Sequence, residues 1–182
     1  MGQRFAALNE EHIAFIEAQK MFVVGTALAE GHVNVSPKGM DALRVLGSQR
    51  LVWLNLTGSG NETAAHVQRQ PRLTLMFCAF EGKPQILRVY GSAREVQRGD
   101  AAWEELAALF PPLPGARQLF DVAIELVQTS CGMAVPRYAF LEKRQDLSRW
   151  ARKQGEDGLR RYWSSRNARS LDGLPTAIGR QE

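Results

Sequence analysis

The sequence predicts a mainly β protein of the α+β kind, an antiparallel β-barrel of six or seven strands with flanking helices. Three observations lead to this fold class. Short β-branched, apolar segments follow one another between residues 21 and 130, turn residues separate them, and helices do not alternate with them as in a doubly wound fold. The 182 residues, 45% apolar and 23% charged, are enough for one core, so residues 1–182 are expected to form a single domain.

The first half of the chain is expected to begin with a helix and continue with strands. Asn9, followed by Glu10 and Glu11, has the pattern of a helix N-cap with acids in the first turn. Strand texture follows in the segments MFVVGTALA, HVNVS, LRVLG and LVWLNL. The alternation in HVNVS is typical of a half-buried strand, whereas LVWLNL is too apolar to have one solvated face.

The second half is expected to add a helix from Asn61 to Gln70, a long hairpin and C-terminal helices. The hairpin strands RLTLMFCAF and QILRVYGSAREV are joined by the turn EGKP. Asp100 is placed to cap a helix through Phe110, and VAIELVQTS is a further predicted strand. Apolar residues at helical spacing then predict helices over residues 146–169, packed on the barrel.

Composition and charge exclude several classes of protein. No segment approaches the ~20 consecutive apolar residues that cross a bilayer, so we expect no membrane partner. The first twenty residues contain glutamates where a signal peptide would be apolar, so we expect a cytoplasmic protein. The cysteines and histidines show no ligand spacing, which argues against a metal site. The basic C-terminal segment is interpreted as a solvated helix face. Nucleic acid ranks below other partners because Trp53 and Phe77 lie in apolar strands expected to be buried.

The loop TGSGNETAAH, Thr57–His66, has the composition of an anion site between a strand and a helix. Unpaired N–H groups at a helix start attract anions, and glycines let the backbone approach a ligand. Ser59, Asn61 and Thr63 add side-chain hydrogen bonds. The spacing is neither that of a Walker loop nor G-x-G-x-x-G. The alternative is a loop that only caps the helix through Ser59 or Asn61.

Two further segments favour a phosphate ligand. NVSPKG, residues 34–39, ends a strand and supplies the hydroxyl of Ser36 and the ammonium of Lys38. Arg88 interrupts the apolar strand ILRVYG, and an arginine that faces the interior of a barrel needs an anion. The alternation of side chains along the strand is compatible with an Arg88 that faces inward and, equally, with one that faces outward. The alternative for NVSPKG is an ordinary surface turn.

Together these segments resemble a known family. HVNVSPKG, LVWLNLTGSGNETAAHV, RLTLMFCAF and ILRVYGSA match in order and spacing the FMN-binding split barrel of the pyridoxamine 5'-phosphate oxidase-related proteins, from about Phe22 to Glu95. TSCGMAVP and SLDGLP resemble segments of one subgroup of that family. The resemblance implies a split barrel, FMN as cofactor with its phosphate on the strand-to-helix loop, and a homodimer with the flavin at the subunit interface.

The resemblance also implies a set of cofactor-binding residues. The loop near the phosphate comprises Ser59, Asn61, Glu62 and Thr63, with Lys38 and Arg88 as its cationic partners. The isoalloxazine ring is expected beside the backbone of two strand segments, Asn34–Val35–Ser36 and Trp53–Leu54–Asn55.

Two departures limit what carries over from the family. Its oxidases have Ser-Arg-Lys where this chain has Asn61-Glu62-Thr63, so the positive charge falls to Lys38 and Arg88, and Glu62 opposes an anion unless it turns away. The arginine-containing C-terminal stretch that holds the pyridoxal-type substrate does not match RNARSLDGLPTAIGRQE. The resemblance therefore implies the fold and the cofactor, and not pyridoxine phosphate oxidase activity.

The expected function is an FMN-dependent oxidoreductase in which a small-molecule substrate or NAD(P)H delivers hydride to the flavin. No side chain is singled out as a catalytic acid or base, and the substrate is not indicated. The alternative is a flavin-binding or sensing protein without turnover, and deazaflavin and haem are the related ligands of the same superfamily.

Overall fold

A computed structural model describes residues 2–178 of the chain. Within that range eight strands form one antiparallel sheet. The strands are β1 Arg4–Phe5, β2 Phe22–Thr26, β3 Asn34–Lys38, β4 Leu43–Val45, β5 Arg50–Leu56, β6 Arg72–Cys78, β7 Ile86–Gln97 and β8 Ala116–Ser130. The predicted mainly β fold is confirmed, with the two-residue β1 added to the strands expected.

The sheet runs in the order β3-β2-β6-β7-β8-β5-β4, and β1 pairs with the end of β8. β8 holds the sheet together because it pairs along its length with β7 and through its first half with β5. A shift in register beside Gly91 bends the β7–β8 pair. The sheet curls into a half-barrel, and β3 and β4 are the two edges of this path.

β5 is buried on both faces and divides the core in two. Leu51 and Trp53 face one apolar cluster, and Val52 and Leu54 face the other. Trp53 is fully buried and stacks on Phe120 of β8, with 4.6 Å between ring centroids. The prediction that this strand has no solvated face is therefore confirmed, and packing on both sides fixes the end of β5, from which the candidate site begins.

Four α-helices and one π-helical turn lie outside the sheet in the described part of the chain. They are α1 Glu10–Ala18, α2 Glu62–Val67, α3 Trp103–Ala107, α4 Asp146–Tyr162 and the π-helical turn Trp163–Asn167. Asn9 caps α1 as predicted, since its side-chain oxygen accepts a hydrogen bond of 2.9 Å from the backbone N–H of His12. None of these helices combines the length and the apolar character that a membrane span requires.

The predicted bounds of two helices are wrong, since α2 ends before Gln70 and α3 runs from Trp103 to Ala107 and not from a cap at Asp100 through Phe110. α2 ends at Val67 and gives way to a turn before Gln70, because the following proline disfavours helical geometry in the residue before it. Asp100 does not cap α3. Its carboxylate accepts a hydrogen bond of 2.7 Å from the backbone N–H of Gln97 and closes a turn instead, so α3 begins only at Trp103.

α4 contains a sharp bend at Gly155, whose φ of 63° and ψ of 179° are unavailable to other residues without strain. The bend brings Trp150 and Tyr162 into an edge-to-face contact with 5.0 Å between ring centroids. Directly after α4, the indole N–H of Trp163 donates to the hydroxyl of Thr57 at 2.8 Å. The C-terminal segment is thereby attached to the barrel at the loop that follows β5.

Candidate functional site

A cavity of about 710 Å³ opens where β3, the end of β5 and the loop of residues 57–61 meet the C-terminal segment. Nine of the residues predicted to bind a cofactor line it. They are Asn34, Ser36 and Lys38 from β3, Leu54 and Asn55 from β5, and Ser59, Asn61, Glu62 and Thr63 from the loop and α2. The fold thus gathers one part of each predicted segment into a single concave site of the size that small-molecule pockets usually have.

The other three predicted residues do not line this pocket. Trp53 points into the core, and the side chain of Val35, 67% exposed, points to solvent from the edge strand. Arg88 alternates along β7 with the buried Leu87 and Val89, so it lies on the opposite face of the strand from the core. Its guanidinium donates to the hydroxyl of Ser130 at 2.9 Å.

Arg117, in contrast to Arg88, belongs to this pocket, although it was not among the predicted site residues. It lies near the start of β8, is 5% exposed, and lines the pocket. Nη1 donates to Oδ1 of Asn167 at 2.6 Å, and Nη2 donates to the carbonyl oxygen of Gly60 at 2.9 Å. The sequence contained one available signal, an arginine two residues before the apolar pair Leu119–Phe120, but the preceding prolines are typical of a loop.

The pocket carries two desolvated positive charges, on the half-buried Lys38 and the buried Arg117. Burial, followed by the charge of Arg117, lowers the pKa of Lys38 to about 8. Burial likewise lowers the pKa of Arg117 to about 10. Among residues 2–178, neither cation has a carboxylate within ion-pair distance. Two desolvated cations this close to each other form a site that favours an anion.

Three buried donors around these charges also lack a partner. They are the hydroxyl of Ser36, the side-chain nitrogen of Asn61 and Nε of Arg117. The oxygen of the Asn61 carboxamide does have a partner, because it accepts a hydrogen bond of 3.4 Å from Asn55 Nδ2. Buried donors in folded proteins almost always have acceptors, so these groups are suited to a ligand that brings several oxygens.

The carboxylate of Glu62, which lines the pocket, is hydrogen-bonded to the C-terminal segment. Its Oε2 accepts a hydrogen bond of 2.9 Å from the backbone N–H of Leu171 in the C-terminal segment. The acid that would oppose an anion in the loop is therefore used to fasten the chain that forms the opposite wall of the pocket.

That wall consists of Arg166, Arg169, Ser170 and Leu171, and we call residues 166–176 the strap. The strap is held at its start by Asn167, which donates to the carbonyl oxygen of Gly58 at 3.1 Å. Near its other end, Asp172 accepts from the backbone N–H of His32 at 2.9 Å and lies 2.6 Å from His32 Nδ1. This pairing raises the pKa of His32 and lowers the pKa of Asp172.

The three histidines all have partners within the protein. His12 completes the cap of α1, His32 pairs with Asp172, and the buried His66 lies with Nδ1 3.0 Å from the hydroxyl of Thr26. No group of three or more His, Cys, Asp or Glu side chains in residues 2–178 is arranged to hold a metal ion.

Comparison with known proteins gives one consistent result. Residues 8–131 match the family model described as pyridoxamine 5'-phosphate oxidase. The chain is 33% identical to the pyridoxamine 5'-phosphate oxidase family protein ustO of Aspergillus flavus, over 86% of this chain and 70% of that protein.

Solved structures support the fold alone. A candidate pyridoxamine 5'-phosphate oxidase from Lactobacillus delbrueckii is 21% identical, with a TM-score of 0.53 over 68% of this chain and 94% of its own. A HupZ variant from group A Streptococcus is 17% identical, with a TM-score of 0.53 over 67% of this chain and 98% of its own. Both structures are similar to the half-barrel of this chain, and a similarity at these identities does not identify a ligand.

Proposed function

Because the chain belongs to the pyridoxamine 5'-phosphate oxidase family, we propose that it is a flavoprotein that binds FMN in the pocket between β3, β5 and the strap. The observation that carries the proposal is the pair of desolvated cations, Lys38 and Arg117, together with three unpartnered buried donors, one of which is Nε of Arg117. A phosphate monoester has the charge and the several acceptor oxygens that this arrangement requires.

The residues of the pocket divide into two roles in this proposal. Lys38, Arg117, Ser36 and Asn61 hold the phosphate, and the loop glycines permit close approach of the backbone. The side chains of Leu54 and Asn55, at the rigid end of β5, form the wall nearest the body of the ligand. When bound, the flavin would supply hydride-transfer chemistry. The protein's own contribution is binding, orientation and exclusion of water.

The test compares two arginines on neighbouring strands. We expect Arg117→Met to weaken FMN binding by at least about tenfold, since a charge-assisted hydrogen bond to phosphate contributes roughly 1.5–3 kcal/mol. Arg88→Met removes the same charge outside the pocket and is expected to leave the affinity within about twofold. Fluorescence titration of FMN, with retention of the visible flavin bands through gel filtration, measures both.

A purified protein that neither carries flavin nor binds added FMN would refute the proposal. Equal losses in the two arginine variants would refute the assignment of Arg117 to the phosphate while leaving the cofactor in place. The two results are distinguishable because the first concerns the unmodified protein.

A second candidate, flavin binding without turnover, is favoured by the chemistry of the pocket wall. Its carboxylate, Glu62, is bonded to the strap, and none of the described residues that line it is a histidine. Among the described residues that line the pocket, two side chains have a lowered pKa: burial lowers the pKa of Lys38 to about 8 and the pKa of Arg117 to about 10. Bleaching of the flavin bands by NADH or NADPH would establish a reductase, whereas a stable oxidised spectrum with either would favour a carrier.

A further inference from the structure

A chain of buried polar side chains leads from α2 to the pocket. His66 is 1% exposed and its Nδ1 lies 3.0 Å from the hydroxyl oxygen of Thr26, which is 4% exposed at the end of β2. Thr26 is the cross-strand partner of Asn34, and the Asn34 side-chain nitrogen donates to the same hydroxyl at 3.0 Å. The same nitrogen also donates to the hydroxyl of Thr63 at 3.1 Å.

The direction of these hydrogen bonds follows from counting protons. Asn34 Nδ2 has two hydrogens, and the two threonine hydroxyls accept both. Thr26 Oγ1 thus accepts from Asn34 and has one proton of its own to donate. Within residues 2–178 the acceptor within reach of that proton is His66 Nδ1. With Thr26 as the donor, His66 Nδ1 is the acceptor and the ring proton lies on Nε2.

The consequence concerns the carbonyl oxygen of the Asn34 side chain. With both N–H groups committed to Thr26 and Thr63, the oxygen has no donor from the described residues, and Asn34 lines the pocket. The oxygen is therefore left for a ligand. Without an acceptor at His66, the Thr26 proton would be free to turn toward Asn34, and the carboxamide could rotate and present N–H groups instead.

We propose that His66 is a positioning residue: through Thr26 it holds the Asn34 carboxamide with its oxygen toward the pocket, so that the site selects a ligand with an N–H or O–H donor at this point. The inference rests on the proposed function for the identity of the ligand. FMN has such donors in its ring imide and in its ribityl hydroxyls, and the contact would orient the body of the cofactor while Lys38 and Arg117 hold its phosphate.

The first experiment needs no ligand. In protein labelled with ¹⁵N at histidine and asparagine, the ring nitrogen shifts of His66 are expected to show the Nε2–H tautomer, and the Asn34 side-chain NH₂ is expected to exchange slowly with solvent. His66→Asn, which keeps an acceptor near the position of Nδ1, should preserve the slow exchange, whereas His66→Leu should abolish it. A proton on Nδ1 would overturn the proposal whether or not FMN binds.

The second experiment is a double-mutant cycle on FMN affinity. His66→Leu is expected to weaken binding roughly three- to tenfold in the wild-type background and less than about twofold in Asn34→Leu, because the effect passes through Asn34. His66→Asn should bind within about twofold of wild type. Equal losses from His66→Leu in both backgrounds would mean a general structural role and would overturn the proposal. Absence of FMN binding in the wild type would instead refute the proposed function.

FMN methylated at the ring imide nitrogen distinguishes a hydrogen bond from the ring imide to Asn34 from one donated by a ribityl hydroxyl. A loss of affinity in wild type that disappears in Asn34→Leu assigns the donor to the ring. Equal affinity for methylated and ordinary FMN in wild type, together with the cycle above, assigns it to the ribityl chain.

Discussion

Burial makes the positive charge of Lys38 energetically unfavourable in the folded protein. Its pKa of about 8 lies well below the value of 10.5 expected for an exposed lysine, and burial is the main cause, followed by the charge of Arg117. At neutral pH the folded protein therefore holds an ammonium group that is more stable in the unfolded chain. A bound anion would offset that cost, which links ligand affinity directly to the charge on this residue.

We predict that Lys38→Met stabilises the ligand-free protein at pH 7 by about 2–3 kcal/mol, after allowance for the partial exposure of the side chain. The gain should be complete below pH 8, because there the wild type pays the full cost of the buried charge. It should fall as pH rises toward 10.5, since the folded wild type loses this proton before the unfolded chain does. Urea unfolding from pH 6 to pH 10 measures the difference.

The exposed Lys83→Met is the matched control, and it should change stability by less than about 0.5 kcal/mol at every pH. A stabilisation by Lys38→Met that does not depend on pH would mean that packing of the methionine, and not removal of a charge, accounts for it.

Arg117 and Arg88 show that the sequence alone does not predict which arginine faces the pocket. Both are arginines in or beside apolar strands, and only the register of the sheet decides which one faces the pocket. For Arg88, the pairing of Leu87 and Val89 with the core settles the direction. Lys38, Ser36 and the loop residues could be predicted because chain-local features, such as a turn after a strand and a glycine-rich loop, place them at the end of their elements.

At the scale of elements, the β7–β8 pair depends on one glycine. A side chain at Gly91 would overlap the carbonyl oxygen of Ala123 on the neighbouring strand, at the position where the register shifts. Gly25 of β2 also lies within a strand, but a Cβ there would meet neighbouring atoms only at 3.8 Å or more, an ordinary contact. The two glycines therefore have different reasons to be present.

We predict that Gly91→Ala lowers the free energy of unfolding by about 2–3 kcal/mol, because backbone atoms of β8 must move to make room. Gly25→Ala should leave it unchanged or raise it by up to about 1 kcal/mol, since alanine loses less conformational freedom on folding. Chemical denaturation of both variants tests this, and similar losses in the two would contradict the steric explanation.

Elements with a strong local pattern could be predicted, and those that depend on distant partners could not. The first six residues of β8 follow a proline-rich stretch and lie in no predicted strand, yet they pair with β5 on one side and β7 on the other. Tertiary pairing outweighs local propensity there. The bend of α4 at Gly155 could not be predicted either, because a single glycine in a helical pattern is compatible with a continuous helix.

At the scale of the whole molecule, β3 leaves apolar side chains exposed along the edge of the sheet. Val35, on the strand that also supplies Ser36 and Lys38 to the pocket, is 67% exposed, and Val33, directly before that strand, is 69% exposed. Exposed β-branched residues on an unpaired edge favour association, and the family resemblance implies a homodimer with the cofactor at its interface.

We therefore predict a homodimer in solution and expect Val35→Lys to weaken it at least tenfold, because a lysine charge would have to be desolvated at the interface. Sedimentation velocity across a range of concentrations measures the shift toward monomer. The control is Gln154→Lys, which adds the same charge at an exposed position of α4. A wild type that sediments as a monomer at high concentration would rule out the prediction.

The strap also sets an order of events during synthesis. The barrel strands are complete once residue 130 has been made, but the wall formed by Arg166, Arg169 and Leu171 is translated last among the parts of the pocket. A nascent chain can therefore fold its sheet while the pocket remains open on one side. A ligand that contacts the strap can therefore be fully enclosed only after residues 166–176 have left the ribosome.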